Sequence, residues 1–120
     1  LATKLAARIC QNIKQKPFII NQNIEISLSC SVGFVPFPFC GHNPEEVSWL
    51  DCIDIADKAL YTAKNAGRDT WVGTTLKQPL SAKNTAIDVL NLPLNIIDLE
   101  SNLSKSKVND TWEKIHKSNG

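Results

Sequence analysis

Two cations stand close enough in the sequence to hold an anion together. Lys64 and Arg68 lie four residues apart across Gly67, at what the surrounding pattern makes the end of a helix. Fixed positive charges there suit phosphate oxygens, Arg through its planar fork and Lys as a point charge. The formal net charge is only +1, so anion binding must come from local placement, and no field points to a nucleic acid polymer. Taken alone, the same two residues also suit a solvated helix end, because cations favour the negative end of the helix dipole. The thiols suggest less. Cys10, Cys30, Cys40 and Cys52 form no CxxC pair, and Cys40, His42 and Cys52 match no common zinc spacing, so no metal ligand is assigned. The expectation is reduced, mostly buried thiols.

The elements that position these residues follow from periodicity. Leu1 to Lys14 reads as a helix whose stripe, Leu1, Leu5, Ile9 and Ile13 with Ala2 and Ala6, packs on a sheet. Lys4, Arg8 and Lys14 lie off that stripe, and Pro17 stops the helix. Phe18 to Ile20 is a strand, Asn21-Gln22-Asn23 a turn, and Ile24 to Val32 a strand with Ile24, Ile26, Leu28, Cys30 and Val32 on its buried face. The opposite face is serine-rich and suits close helix packing. Gly33 marks a bulge or a place where backbone passes close by. Phe34 to His42, with Pro36 and Pro38, reads as a loop. Asn43 is expected to cap a helix running from about Pro44 to Asn65, with Trp49, Leu50, Ile53, Ala56, Leu60 and Ala63 on one side and Gly67 as a left-handed cap. Thr70 to Val72 is a short strand. Beyond Gly73 the apolar residues Leu90, Leu92, Leu94, Ile96, Ile97 and Leu99 are expected to wrap onto the domain or a partner. Trp112 and Ile115, with Lys114 and Lys117, suggest a last short helix.

The chain has 120 residues, 42% hydrophobic and 21% charged, which suits one globular domain rather than a disordered segment, and the order of helices and strands above makes its expected class α+β. No apolar run is long enough to cross a bilayer. The start at Leu1, with no initiator Met and inside a helical pattern, is read as cut from something longer.

One stretch is more specific. Ala56-Asp57-Lys58-Ala59-Leu60-Tyr61, then Ala63-Lys64, then Gly67-Arg68 resembles the AD-x-ALY-x-AK-x-x-GRN pattern of GGDEF domains, the bacterial diguanylate cyclases. Ser31-Val32-Gly33 resembles the family's S-I-G at the end of its central strand, and Leu5 to Ile9 resembles its LAERI helix. Asp69 stands where the family has Asn. The resemblance covers residues 1–73, the C-terminal half of such a domain, and leaves 74–120 as an extension of unassigned role. It implies a partial palm-like fold of helix, β-hairpin, helix and short strand, similar to the nucleotide cyclases. It implies that the parent protein condenses two GTP into cyclic di-GMP in bacterial signalling, as a cytoplasmic homodimer driven by an upstream sensor domain, with Mg²⁺ or Mn²⁺ bound by the intact domain.

Residue by residue, the resemblance makes Lys64 and Arg68 the holders of the GTP β- and γ-phosphates. It matches Arg8 to an arginine that contacts cyclic di-GMP in feedback-inhibited members, although an exposed helix arginine is an equal reading. Asp57, Tyr61, Ser31 and Gly33 are read as structural. The GG(D/E)EF signature, the metal-binding aspartate, the guanine-reading residues and the RxxD inhibition motif are not in this chain. By itself it is expected to make no cyclic di-GMP. The rival expectation is a degenerate module that binds GTP, cyclic di-GMP or a protein without catalysis.

Overall fold

The computed structural model describes residues 2–37, 47–77 and 92–118, with side chains as far as 115. In chain order the elements are α1 (Ala2–Gln15), β1 (Phe18–Asn21), β2 (Ile24–Ile26), β3 (Val32–Phe34), α2 (Trp49–Asn65), β4 (Trp71–Leu76), β5 (Ile97–Ser101) and α3 (Lys105–Ser118). The fold is α+β, with three helices, a two-stranded sheet β1-β2 and a three-stranded sheet β3-β4-β5.

The central sheet is mixed because of how the chain returns to it. β3 and β4 run parallel, with Val32 opposite Trp71, Gly33 opposite Val72 and Phe34 opposite Gly73. Parallel neighbours need a crossover, and α2 supplies it. β5 then pairs antiparallel with β4, from Val72 opposite Ser101 to Leu76 opposite Ile97. Residues of the C-terminal stretch thus join the same sheet as residues 71–73. β3 lies at the other edge, with β4 as its neighbour among the described residues.

Three local readings are corrected. The long alternating strand from Ile24 to Val32 is broken: β2 ends at Ile26, residues 27–31 carry no ladder, and β3 resumes at Val32. Ile24, Ile26 and Leu28 are exposed, not buried. Alternation marks which side chains share a face, but burial requires an opposing layer, and none of the described elements covers that one. Phe34 is also in β3, because the parallel ladder with β4 reaches Gly73. The turn Asn21 to Asn23 is as expected, with Asn21 Oδ1 accepting from the Asn23 N–H at 2.9 Å.

α2 begins later than its acidic prelude suggests. Ser48 is extended (φ −67°, ψ 165°) and its hydroxyl accepts from the Asp51 N–H at 3.1 Å, so Ser48 is the N-cap and Trp49 the first helical residue. The expected cap Asn43 and first-turn Pro44 lie outside the described residues. The buried face of α2 is also rotated from the expected stripe. Cys52, Ile55, Ala59, Thr62 and Ala63 are buried, whereas Trp49, Leu50 and Ile53 are exposed. α1 shows the same rotation: Ala6 and Cys10 are buried while Leu5 and Ile9 are exposed. In α1 the buried side chains are the small Ala6 and Cys10, and in α2 Ala59 and Ala63 are buried beside the larger Ile55 and Lys58.

The core lies between α2, β4, β5 and α3. It contains Val47, Ile55, Ala59, Val72, Leu92, Ile97, Leu99, Val108 and Trp112. α3 contributes Val108, Trp112 and Ile115, spaced by four and three on one face. Ser104 Oγ accepts from the Lys107 N–H at its start, capping it. The expectation that the apolar extension folds back onto the domain is met by Leu92, Ile97 and Leu99, all buried, while Leu90 is outside the described residues. Pairing fixes β5 as a strand. The indole N–H of Trp112 donates to the Leu92 carbonyl at 3.2 Å, and the Lys58 ammonium sits 4.2 Å from its ring centroid.

The candidate phosphate site at the end of helix α2

The end of α2 is built as a compact stop. Ala66 is the C-cap, and its N–H donates to the Thr62 carbonyl at 2.8 Å. The Arg68 N–H reaches back to the Ala63 carbonyl at 3.1 Å, the six-to-one bond of a Schellman-type termination. Gly67 has φ 130°, a region that side chains avoid. Arg68 and Asp69 follow with φ 63° and 52°, left-handed conformations that are uncommon without glycine. Three consecutive residues with positive φ turn the chain sharply from α2 into β4, which starts at Trp71.

This turn carries both candidate phosphate residues. Lys64 is in the last turn of α2 and Arg68 is three residues past its end, and both side chains are exposed. Among the described residues neither forms an ion pair. The adjacent acid is otherwise engaged: Asp69 Oδ2 accepts from Lys14 Nζ at 2.7 Å. Lys14 is in the last turn of α1, so the ends of α1 and α2 converge here. The Asp69 hydrogen bond and then its charge hold the Lys14 ammonium above its usual range. Asp69 thus departs from the expected Asn to form a tether between two elements.

Arg8 is exposed on α1 and forms no ion pair among the described residues. It precedes Lys14 by six positions, about 9 Å along the helix axis. Asp57 is exposed on α2, and no hydrogen bond or ion pair holds it among the described residues, so the expected structural contact is not seen. Tyr61 is exposed, and its carbonyl accepts from Asn65 Nδ2.

The recesses nearby are of other kinds. One of about 190 Å³, between α1 and the start of β4, is lined by Ala7, Cys10, Gln11, Lys14, Asp69, Trp71 and Asn102. The other, about 410 Å³, lies toward the start of α2 and is largely apolar, with Phe34, Phe37, Trp49 and Ile53 among its walls. Neither Lys64 nor Arg68 lines either of these two recesses. No group of three His, Cys, Asp or Glu side chains is placed to hold a metal ion among the described residues, and Cys40 and His42 lie outside them. No described helix is long and apolar enough to cross a membrane.

Sequence reasoning found the helix stop, both exposed cations and the special place of Gly33. It missed Lys14, whose partner Asp69 is 55 positions away. It also missed Cys10 and Cys30 as neighbours, 20 positions apart. Neither separation leaves a local signal. Comparison with known proteins gives no match: no family model, curated protein or solved structure matches this chain.

Proposed function

We propose that the chain is the phosphate-holding half of a GGDEF-type diguanylate cyclase domain, with Lys64 and Arg68 receiving the β- and γ-phosphates of GTP. The observation that carries this is the construction of the turn after α2. It presents two exposed cations on one helix end, holds Arg68 in a left-handed conformation, and occupies the neighbouring carboxylate with Lys14. A triphosphate would meet positive charge there without first displacing an internal partner. A second observation supports the same relation. The segments Ser31-Val32-Gly33 and Ala56 to Tyr61, which carry much of the resemblance, touch: Gly33 packs against the backbone of Ala56 and Leu60.

These residues bind and orient; they do not complete a reaction. Holding the terminal phosphates fixes the α-phosphate for attack by the 3′-hydroxyl of a GTP on a second domain, and the cations balance charge on departing pyrophosphate. Among the described residues no three His, Cys, Asp or Glu side chains are placed to hold a divalent metal, and Lys64 and Arg68 supply charge and position alone. Base recognition and metal binding are assigned to no residue of this chain. The Lys14–Asp69 pair gives the rival, non-catalytic module its one specific support, because it replaces a neutral residue beside the phosphates with a tethered acid.

The test is GTP binding to the full-length protein in the presence of Mg²⁺. Replacing both Lys64 and Arg68 with Ala should weaken binding by roughly tenfold or more, since each charge-assisted contact contributes on the order of 1.5–3 kcal/mol before solvent exposure reduces it. Unchanged affinity would remove both residues from the site. Cyclic di-GMP formation by the same preparation separates catalytic from binding-only function.

A further inference from the structure

Two thiols that sequence reasoning kept apart meet in the fold. Cys10 is buried on the inner face of α1, and Cys30 is half-buried in the unladdered run between β2 and β3. Their sulfurs are 3.9 Å apart, and the Cys10 thiol also donates to the Cys30 carbonyl at 3.7 Å. Both are free thiols, and neither has a part in the phosphate site. We propose that Cys10 and Cys30 form a redox pair, closed to a disulfide by a small-molecule disulfide and reopened by a dithiol. The inference does not rest on the nucleotide reading.

The geometry favours closure at modest cost. A disulfide bond is about 2.05 Å long, so the sulfurs must approach by roughly 1.9 Å. Cys10 is held by its helix, but residues 27–31 belong to no ladder, so Cys30 can move without breaking strand pairing. Burial first, then the Cys30 hydrogen bond and charge and the nearby Asp69, push the Cys10 thiol up to about 11. Cys10 is therefore a poor first nucleophile; once Cys30 is capped in a mixed disulfide, the Cys30 charge that helps hold the Cys10 thiol up is gone, and Cys10 already sits beside the sulfur it must attack. Half-buried Cys30 takes the first step.

The chemistry balances. The Cys30 thiolate attacks one sulfur of the external disulfide, forming a mixed disulfide and expelling one thiolate. Cys10 then gives up its proton and attacks the Cys30 sulfur, expelling the second thiolate. Two protein thiols lose two electrons and two protons, and the external disulfide becomes two thiols. The new bond closes a loop that contains the whole β1–β2 hairpin and fastens α1 to the segment entering β3. Oxidation would thus stiffen the part of the molecule with the least burial.

The experiment exposes the 120-residue chain to oxidised glutathione and maps peptides by mass spectrometry without reduction. The expected result is a Cys10–Cys30 linked peptide pair, a loss of two titratable thiols out of the chain's four cysteines, and full reversal by dithiothreitol. The thermal midpoint of the oxidised form should rise by about 5 °C. Cys30→Ser, at a half-buried position, should block the linkage while circular dichroism shows an intact fold. Stable glutathione on Cys30 with Cys10 still reduced would overturn the pairing. So would linkage of Cys30 to Cys40 or Cys52, or retention of all four thiols.

Discussion

Gly33 shows how much one missing side chain can decide. A Cβ built there would collide with the Leu60 backbone nitrogen and lie 2.5 Å from the Ala56 carbonyl oxygen and 2.7 Å from Leu60 Cα. These are backbone atoms of α2, so no rotamer change relieves the clash; strand and helix must separate. Gly33→Ala is expected to destabilise the protein by about 3 kcal/mol, at the upper end for overpacking, as measured by a urea midpoint followed by circular dichroism. A shift below about 0.5 kcal/mol would mean that β3 and α2 are not in close contact. A glycine after a strand is visible in a sequence as a place of close approach, and the pattern also exposed the cations at 64 and 68. The sequence does not show what approaches. The same limit applies to Asp69 and Cys30, whose partners Lys14 and Cys10 are brought close only by the docking of α1.

At the level of elements, Trp112 joins α3 to α2 and to the segment before β5. Its ring is buried from α3, its N–H is held by the Leu92 carbonyl before β5, and its face carries the Lys58 ammonium from α2. Trp112→Ala should cost roughly 3–5 kcal/mol, whereas Trp112→Phe should cost less, keeping most of the packing and losing the hydrogen bond. Chemical denaturation of the two variants measures the order; equal costs would mean that the hydrogen bond lost in both, and not the packing of the ring, holds α3. That a helix ends the chain was legible from Trp112 and Ile115, because the 3.6-residue period is a local property, but its start at Lys105 was not. β5 was not, because Leu90 to Leu99 has no clear period and pairing with β4 determines its state. The start of α2 was misplaced for a related reason. Asn43-Pro44-Glu45-Glu46 and Ser48 to Asp51 both carry cap chemistry, and the hydrogen bond is made by Ser48.

Across the whole molecule, burial is uneven. α2, β4, β5 and α3 enclose a core in which Ile55 and Val72 have no exposed surface. On the other side every residue of β1 and β2 is exposed, and Leu5, Phe18, Ile19, Ile20, Ile24 and Leu28 face outward. The pattern of a sequence records which residues are apolar together, but not which of them an opposing layer will cover. The expected strand from Ile24 to Val32 was therefore misread twice: it breaks after Ile26, and its apolar residues Ile24, Ile26 and Leu28 are exposed. A two-stranded hairpin without a covering layer has little stability of its own, and local opening is easiest where few apolar contacts are lost. Amide hydrogen exchange followed by mass spectrometry should therefore show Phe18–Ile26 exchanging at least tenfold faster than Trp71–Leu76. Equal protection would mean that the apolar face of the hairpin is covered in solution. Dilution would then distinguish a second copy of the chain, whose protection falls with concentration, from coverage by the chain itself, whose protection does not. Faster exchange in the hairpin makes the division of the molecule real: a core completed by the C-terminal strand and helix, and a lightly held hairpin attached to it through α1 and the run that carries Cys30.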